Sequence, residues 1–196
     1  LHDALPISFY DRGKLVERAV SSVTGALAEA TVLVIVLLYV FLGNLRSALV
    51  VACILPLAAL GTFLLMQAYG LSANLMSLGG LAIAIGMLVD AAVVVVENIE
   101  AHSSKSQPGM SRLHVIYRAV REVAVPVTAG MVVIMIVFLP LLTLQGLEGK
   151  LFAPVALTII FALAASLLLS LTVIPVLSSL LLKAHHGPPP RLVQRM

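Results

Sequence analysis

The sequence predicts an all-α membrane protein with five transmembrane helices. Three observations predict it. Of the 196 residues, 61% are hydrophobic and only 11% are charged, whereas an ordinary soluble domain is about 25% charged and 45–50% apolar. The apolar residues gather into five runs, each near or above the roughly 20 residues that cross a bilayer as a helix. Between the runs lie short polar connections, and every second connection is basic. In lipid the backbone must satisfy its own hydrogen bonds, so helices are the form such runs take, with the lipid bilayer as their solvent.

The first run covers residues 26–42 and is the shortest; its helix is expected to begin earlier, near Leu15. The second covers 48–69 and contains Pro56. The third covers 74–96. The fourth covers 123–144, with Pro126 and Pro140. The fifth covers 152–182, with Pro154 near its start and Pro175 near its end. The prolines predict kinks, which membrane helices tolerate.

The connections set the orientation. GNLRS, between the first two runs, carries Arg46. Residues 99–121, between the third and fourth, carry Lys105, Arg112, Arg118 and Arg121. After the fifth come Lys183, Arg191 and Arg195. The other two connections, YGLSAN and QGLEGK, have no net charge. The positive-inside rule places the three basic connections in the cytoplasm. Residues 9–25, including YDRGKLVERAV, then lead into the membrane from the periplasmic side of a bacterial inner membrane. Residues 26–182 form the membrane domain, and 183–196 begin a cytoplasmic segment. The chain opens without Met, and HHGPPPRLVQRM reads as the approach to a further helix. An internal piece of a larger protein is therefore expected. The opening LHDALPIS lacks the basic and long apolar stretches of a signal peptide.

Several classes fall away. The net charge of +3 comes without a basic patch interleaved with aromatics, so nucleic acid is not an expected partner. Cys53 is the single cysteine; it permits no disulfide within the chain and no CxxC metal site, and it reads as a small buried hydrophobe. A Gly-rich phosphate loop and a nucleophile–base pair are not found, so the chain does not read as an enzyme.

The chemistry lies in IGMLVDAAVVVVENIE, residues 85–100, which sets Asp90 and Glu97 in an apolar run. A carboxylate at the centre of a membrane helix costs about 2.5–3.5 kcal/mol on insertion scales, and such residues mark ion or proton paths. Glu97 follows Asp90 by two helical turns, so the acids share one face about 10 Å apart. For Asp90 the alternative is a hydrogen bond to a neighbouring helix, which a neutral Asn would make at lower cost. Glu97, near the cytoplasmic end, is equally compatible with a solvated acid packed beside Asn98. Desolvation favours a neutral carboxyl and a nearby cation favours an ionised one. An acid poised between the two effects can load and release a proton. The apolar runs hold no Lys or Arg, so a cationic partner for Asp90 has to come from elsewhere. Gly79, Gly80, Ala82, Ala84, Gly86, Ala91 and Ala92 surround the acid and let another helix approach closely.

Three stretches together resemble the resistance-nodulation-division (RND) exporters: FLGNLRSALVVACILPLAALGTF, LSANLMSLGGLAIAIGMLVDAAVVVVENIE, and FLPLLTLQGLEGKLFAPVALTIIFALAASLLLSLTVIPVLSSLLL. They look like the second-to-third helix junction, the fourth helix and the fifth-to-sixth helix region of that family, in that order. The resemblance covers residues 9–196. Residues 1–8 do not resemble the family and are set apart as an artefact or a non-family segment. Within the family, TLQGLEGKLFAPVALT resembles the heavy-metal efflux branch. Multidrug members carry two adjacent acids in the fourth helix, whereas Ala91 follows Asp90 here. Many divalent-metal members carry a further Asp six residues before the main one, whereas that position is Ala84 here. The AIAIG run at 82–86 is similar to that of copper and silver exporters.

The resemblance implies a fragment of an inner-membrane, proton-driven heavy-metal cation efflux pump, leaning to Cu(I)/Ag(I). It implies a homotrimer that joins a periplasmic adaptor and an outer-membrane channel, with the proton as coupling ion, the metal as cargo and no resident cofactor. Asp90 would carry the proton, and Glu97 would be a secondary acid. Met76, at the periplasmic start of the acid-bearing helix, is a candidate metal contact, because thioethers suit soft monovalent ions; Met87, Met131 and Met135 read more readily as gap-filling core. His102 and His114 in the third-to-fourth connection, and His185 and His186 after the last helix, read as solvated. Two rivals are an organic-substrate RND exporter and a non-transporting sensor or scaffold on the same fold; the latter requires Asp90 to tolerate neutral replacement.

Overall fold

A computed structural model describes residues 12–42, 45–105 and 110–181. The expectations for residues 1–8, for residues 183–196 and for His185 and His186 lie outside the described residues. Five helices run up and down: α1 (Arg12–Leu42), α2 (Leu45–Ala68), α3 (Leu75–Ser104), α4 (Arg112–Phe138) and α5 (Gly146–Leu181), with a 3-10 turn at Leu139–Thr143 between the last two. α2, α3, α4 with its 3-10 extension, and α5 are each long and apolar enough to cross a membrane. The first apolar run, residues 26–42, forms the second half of α1, whose helix begins ahead of it, as expected; α1 is not among the four helices that reach this length and apolarity among the described residues.

Three helix limits differ from the hydropathy limits. α3 continues through Ser104 and α4 already begins at Arg112, so most of the expected 99–121 connection is helical. α5 begins at Gly146, inside the expected QGLEGK loop. The reason is common to all three. Lipid sets where a helix must be apolar, but the helix itself stops only where caps or turns end it. Pro56, Pro126, Pro154 and Pro175 lie inside helices, while Pro140 opens the 3-10 turn.

The α2–α3 turn shows such a stop. Gly70 has φ +69°, a left-handed conformation that glycine adopts freely. Its N–H bonds the Gln67 carbonyl at 3.1 Å, and the Leu71 N–H bonds the Met66 carbonyl at 2.9 Å, which together close α2 in a Schellman motif. Four residues later Asn74 caps α3: its Oδ1 accepts from the Ser77 N–H, and the Ser77 Oγ accepts from the Asn74 N–H, both at 2.9 Å. The start of the acid-bearing helix is therefore fixed.

α3 is the hub and touches every other α-helix, whereas among the described residues α1 packs against α2 and α3, and α4 against α3, α5 and the 3-10 turn. The central layer is α2, α3 and α5, and its core includes Val51, Ile54, Leu55, Leu81, Leu88, Val95, Ile159 and Leu163. Between helices in lipid the gain comes from close packing and polar contacts rather than from the hydrophobic effect. Gly80 shows the packing: a Cβ there would lie 2.7 Å from the Val155 carbonyl oxygen on α5. Gly61 does the same for α2, where a Cβ would meet that of Ala165 at 3.2 Å. Cys53, expected to be buried, is exposed; it lies on the outward side of α2, next to the buried Ala52 and Ile54.

Candidate functional site

Asp90 belongs to a stripe along α3 that faces away from the core. Met76, Gly79, Ile83, Gly86, Asp90, Val94 and Glu97 are spaced three or four residues apart, and all are exposed, as one helical face should be. The opposite face is fixed. Leu78, Leu81, Ile85, Leu88, Ala92 and Val95 are buried. The Ser166 hydroxyl of α5 donates to the Leu88 carbonyl at 2.6 Å in a fully buried contact, which holds the backbone two residues before the acid.

The small residues around Asp90 divide between these faces. Gly80, Ala84, Ala91 and Ala92 are buried within the chain, while Gly79, Ala82 and Gly86 are exposed. At Gly79 and Gly86 an added Cβ would meet nothing within 4 Å. The open set leaves room for a further helix to lie close to Asp90.

Beside the acid is a groove of about 310 Å³ between α3 and α4. Asp90 and Val94 line one side, and Pro126, Gly130, Met131 and Ile134 line the other. Asp90 brings the carboxylate; the other residues are apolar or bear no side chain. A proton or ion reaching this acid would leave water for a mainly apolar wall. The pairing of Asp90 with α4 was not foreseen from the sequence, although Pro126 and Gly130, four residues apart, were a signal that α4 is thin there.

The predicted residues are not all brought together. Glu97 shares the Asp90 face two turns on, about 10 Å away. Met76 sits in the first turn of α3, fourteen positions before Asp90 and so about 21 Å along the axis. Among the described residues, no three of His, Cys, Asp and Glu cluster in a way that could hold a metal ion.

The structure corrects the placement of His102 and His114 in a loop: His102 lies, half-buried, in the last turn of α3, and His114, exposed as expected, in the first turn of α4. His102 makes two contacts, Nδ1 with the Asn98 carbonyl at 3.0 Å and Nε2 with Glu122 Oε2 on α4 at 3.0 Å. Asn98 Nδ2 donates to the Ala119 carbonyl at 2.7 Å. Arg112 Nη2 donates to the Ser178 carbonyl of α5 at 2.9 Å. The end of α4 that carries the arginines is thus tied to both neighbours.

This geometry can be set beside known proteins. The model of the AcrB/AcrD/AcrF family matches residues 4–195. The chain belongs to this family. It is 44% identical over 176 residues to the "Cobalt-zinc-cadmium resistance protein CzcA" of Cupriavidus metallidurans, a match covering 86% of this chain and 16% of that protein. It is 40% identical over 179 residues to the "Cation efflux system protein CusA" of Escherichia coli (strain K12), covering 87% and 17%. A crystal structure of a heavy metal efflux pump superimposes with a TM-score of 0.70 at 40% identity, over 87% of this chain and 16% of that one. The chain therefore spans about a sixth of the length of these relatives. The relatives bear out the resemblance to the heavy-metal branch of the RND exporters, and the family match takes in residues 4–8, which the sequence reading had set apart.

Proposed function

We propose that this chain supplies the second to sixth membrane helices of a larger, proton-driven heavy-metal cation exporter of a bacterial inner membrane. In that exporter Asp90 loads and releases the coupling proton, and Glu97 is a secondary acid nearer the cytoplasm. The observation that carries the reading is the placement of Asp90: an acid on an open face and groove of a helix whose other face is locked into the core. A helix held in this way can present one carboxyl to a moving partner without itself losing its packing. The exporter would work as a homotrimer with a periplasmic adaptor and an outer-membrane channel, and the metal would be its cargo.

For the cargo, we favour Cu(I) or Ag(I). Two features support it. Position 84, fully buried, holds Ala rather than a second acid, and the exposed Met76 offers a thioether at the start of α3. A divalent cation is the second reading, favoured by the 44% identity to the cobalt-zinc-cadmium protein. Growth of a metal-sensitive, pump-deleted bacterium carrying the whole exporter separates the two. Tolerance to copper and silver alone supports the first reading, and tolerance to zinc or cobalt replaces it with the second. No protection against any metal at full membrane expression would overturn both.

A further inference from the structure

We propose that His102 and Glu122 form a second proton-binding site, distinct from Asp90, which acts as a proton-operated clamp between α3 and α4. The chemistry of the two contacts carries it. The partner of Nδ1 is the carbonyl of Asn98 at 3.0 Å. A carbonyl only accepts, so Nδ1 must bear a hydrogen. The partner of Nε2 is a Glu122 carboxyl oxygen at 3.0 Å. Two unprotonated atoms would repel at that distance, so a proton must lie between them. A neutral imidazole has one N–H and an ionised carboxylate has none. Both contacts together therefore require one proton more than the neutral ring and the free carboxylate carry. The neutral ring can keep either contact but not both.

The balance is simple. One proton from water at this end closes the clamp as an imidazolium–carboxylate pair, and its return to water leaves His102 with a single N–H and one contact. The position suits the charge, since His102 lies in the last turn of α3, where the helix dipole favours a cation. The pair is open to the proton source, with side-chain exposures of 29% and 61%. Other ionisable groups at this end are Glu97 and Glu100 on α3 with Lys105 at its C-cap, Arg112, His114, Tyr117, Arg118 and Arg121 on α4, and Arg46 at the start of α2. At this end α5 and α1 bring no acid, Lys, Arg or His among the described residues.

The clamp bears on the groove through α4. Glu122 lies one turn before Pro126, which lines the groove opposite Asp90. Pro126 has no N–H, so the carbonyl of Glu122 lacks its usual helical donor and α4 is weakened between clamp and groove. Asn98 to Ala119 remains as a second tie that takes no proton. That the clamp's proton comes from the cytoplasm rests on the orientation proposed above; the clamp itself does not.

The test uses the whole exporter in lipid with nitrogen-15-labelled histidine, and His102→Ala identifies the His102 signals. Spectra are taken across about pH 5 to 8, the range in which histidine ordinarily changes charge. The wild-type ring is expected to show two N–H at the acid end and to lose one as the pH rises. In Glu122→Gln the amide donates to the bare Nε2, so both contacts persist around a neutral ring with its hydrogen on Nδ1. In that variant the N–H between ring and partner is expected to belong to the amide and not to Nε2. Asp90→Asn should leave the His102 titration in place, which separates this site from the proposed role of Asp90. At the acid end, a wild-type ring without a hydrogen on Nδ1, or an Nε2 that carries its hydrogen equally in Glu122→Gln, would overturn the proposal.

Discussion

Gly80→Ala tests how tightly Asp90 is positioned. The added methyl would stand 2.7 Å from the Val155 carbonyl oxygen, 3.1 Å from the Val155 Cα and 3.3 Å from the Thr158 Cβ. Two of these atoms belong to the backbone of α5, so neither can turn aside as a side chain would. Overpacking of this kind costs about 1–3 kcal/mol. Against it stands the better helix propensity of Ala, about 1 kcal/mol at most. Repulsion wins, and a net loss of about 1 kcal/mol is expected, with α3 pushed away from α5 and Asp90 carried along. Gly86→Ala meets nothing within 4 Å of its added Cβ in this chain, so a loss of stability there would report a further helix of the exporter packed beside Asp90 rather than the α3–α5 contact. The assay is equilibrium unfolding of the purified exporter in mixed detergent micelles as the denaturing fraction rises. Gly80→Ala should unfold earlier than wild type. Equal or greater stability of Gly80→Ala would refute the close approach of α3 to α5.

Two further predictions concern the ends of the helices. Asn74→Ala removes the acceptor of the capping box and should destabilise α3 by about 1 kcal/mol, with Asn74→Ser recovering most of it, as measured by the same unfolding assay. Arg112→Ala removes the 2.9 Å bond to the Ser178 carbonyl near the end of α5. The loss should be about 1 kcal/mol, and cleavage by added protease at the C-terminal end of α5 should speed up, with Arg112→Lys intermediate.

Much of the fold could be read from the sequence because lipid imposes a simple rule: a helix must be apolar for about 20 residues. Four of the five runs became helices long and apolar enough to cross a membrane on that basis, and the shortest became the second half of α1. The rule is silent beyond the bilayer, so the continuation of α3 to Ser104 and the early start of α4 at Arg112 were not visible. These extensions depend on capping and on contacts such as Asn98 to Ala119, which join residues 21 positions apart. Asp90 could be singled out because an acid in an apolar run is costly. That Asp90 faces an open groove required knowing which side of α3 the core takes. The small residues alone did not say so, since four of the seven pack inside the chain and three remain open. His102 could not be separated from a solvated histidine, because its partner Glu122 lies on the next helix. Cys53 misled for a related reason: in a membrane protein an apolar run has an outward face, so hydrophobic surroundings do not imply burial.

The central claim is that Asp90 carries the coupling proton. The most direct test reconstitutes the whole exporter in liposomes with a trapped pH dye and compares wild type with Asp90→Asn at equal protein. Wild type should move protons when transported metal is supplied, and Asp90→Asn should insert and assemble normally yet move neither metal nor protons. Metal-dependent proton movement in Asp90→Asn at the wild-type rate would contradict the account.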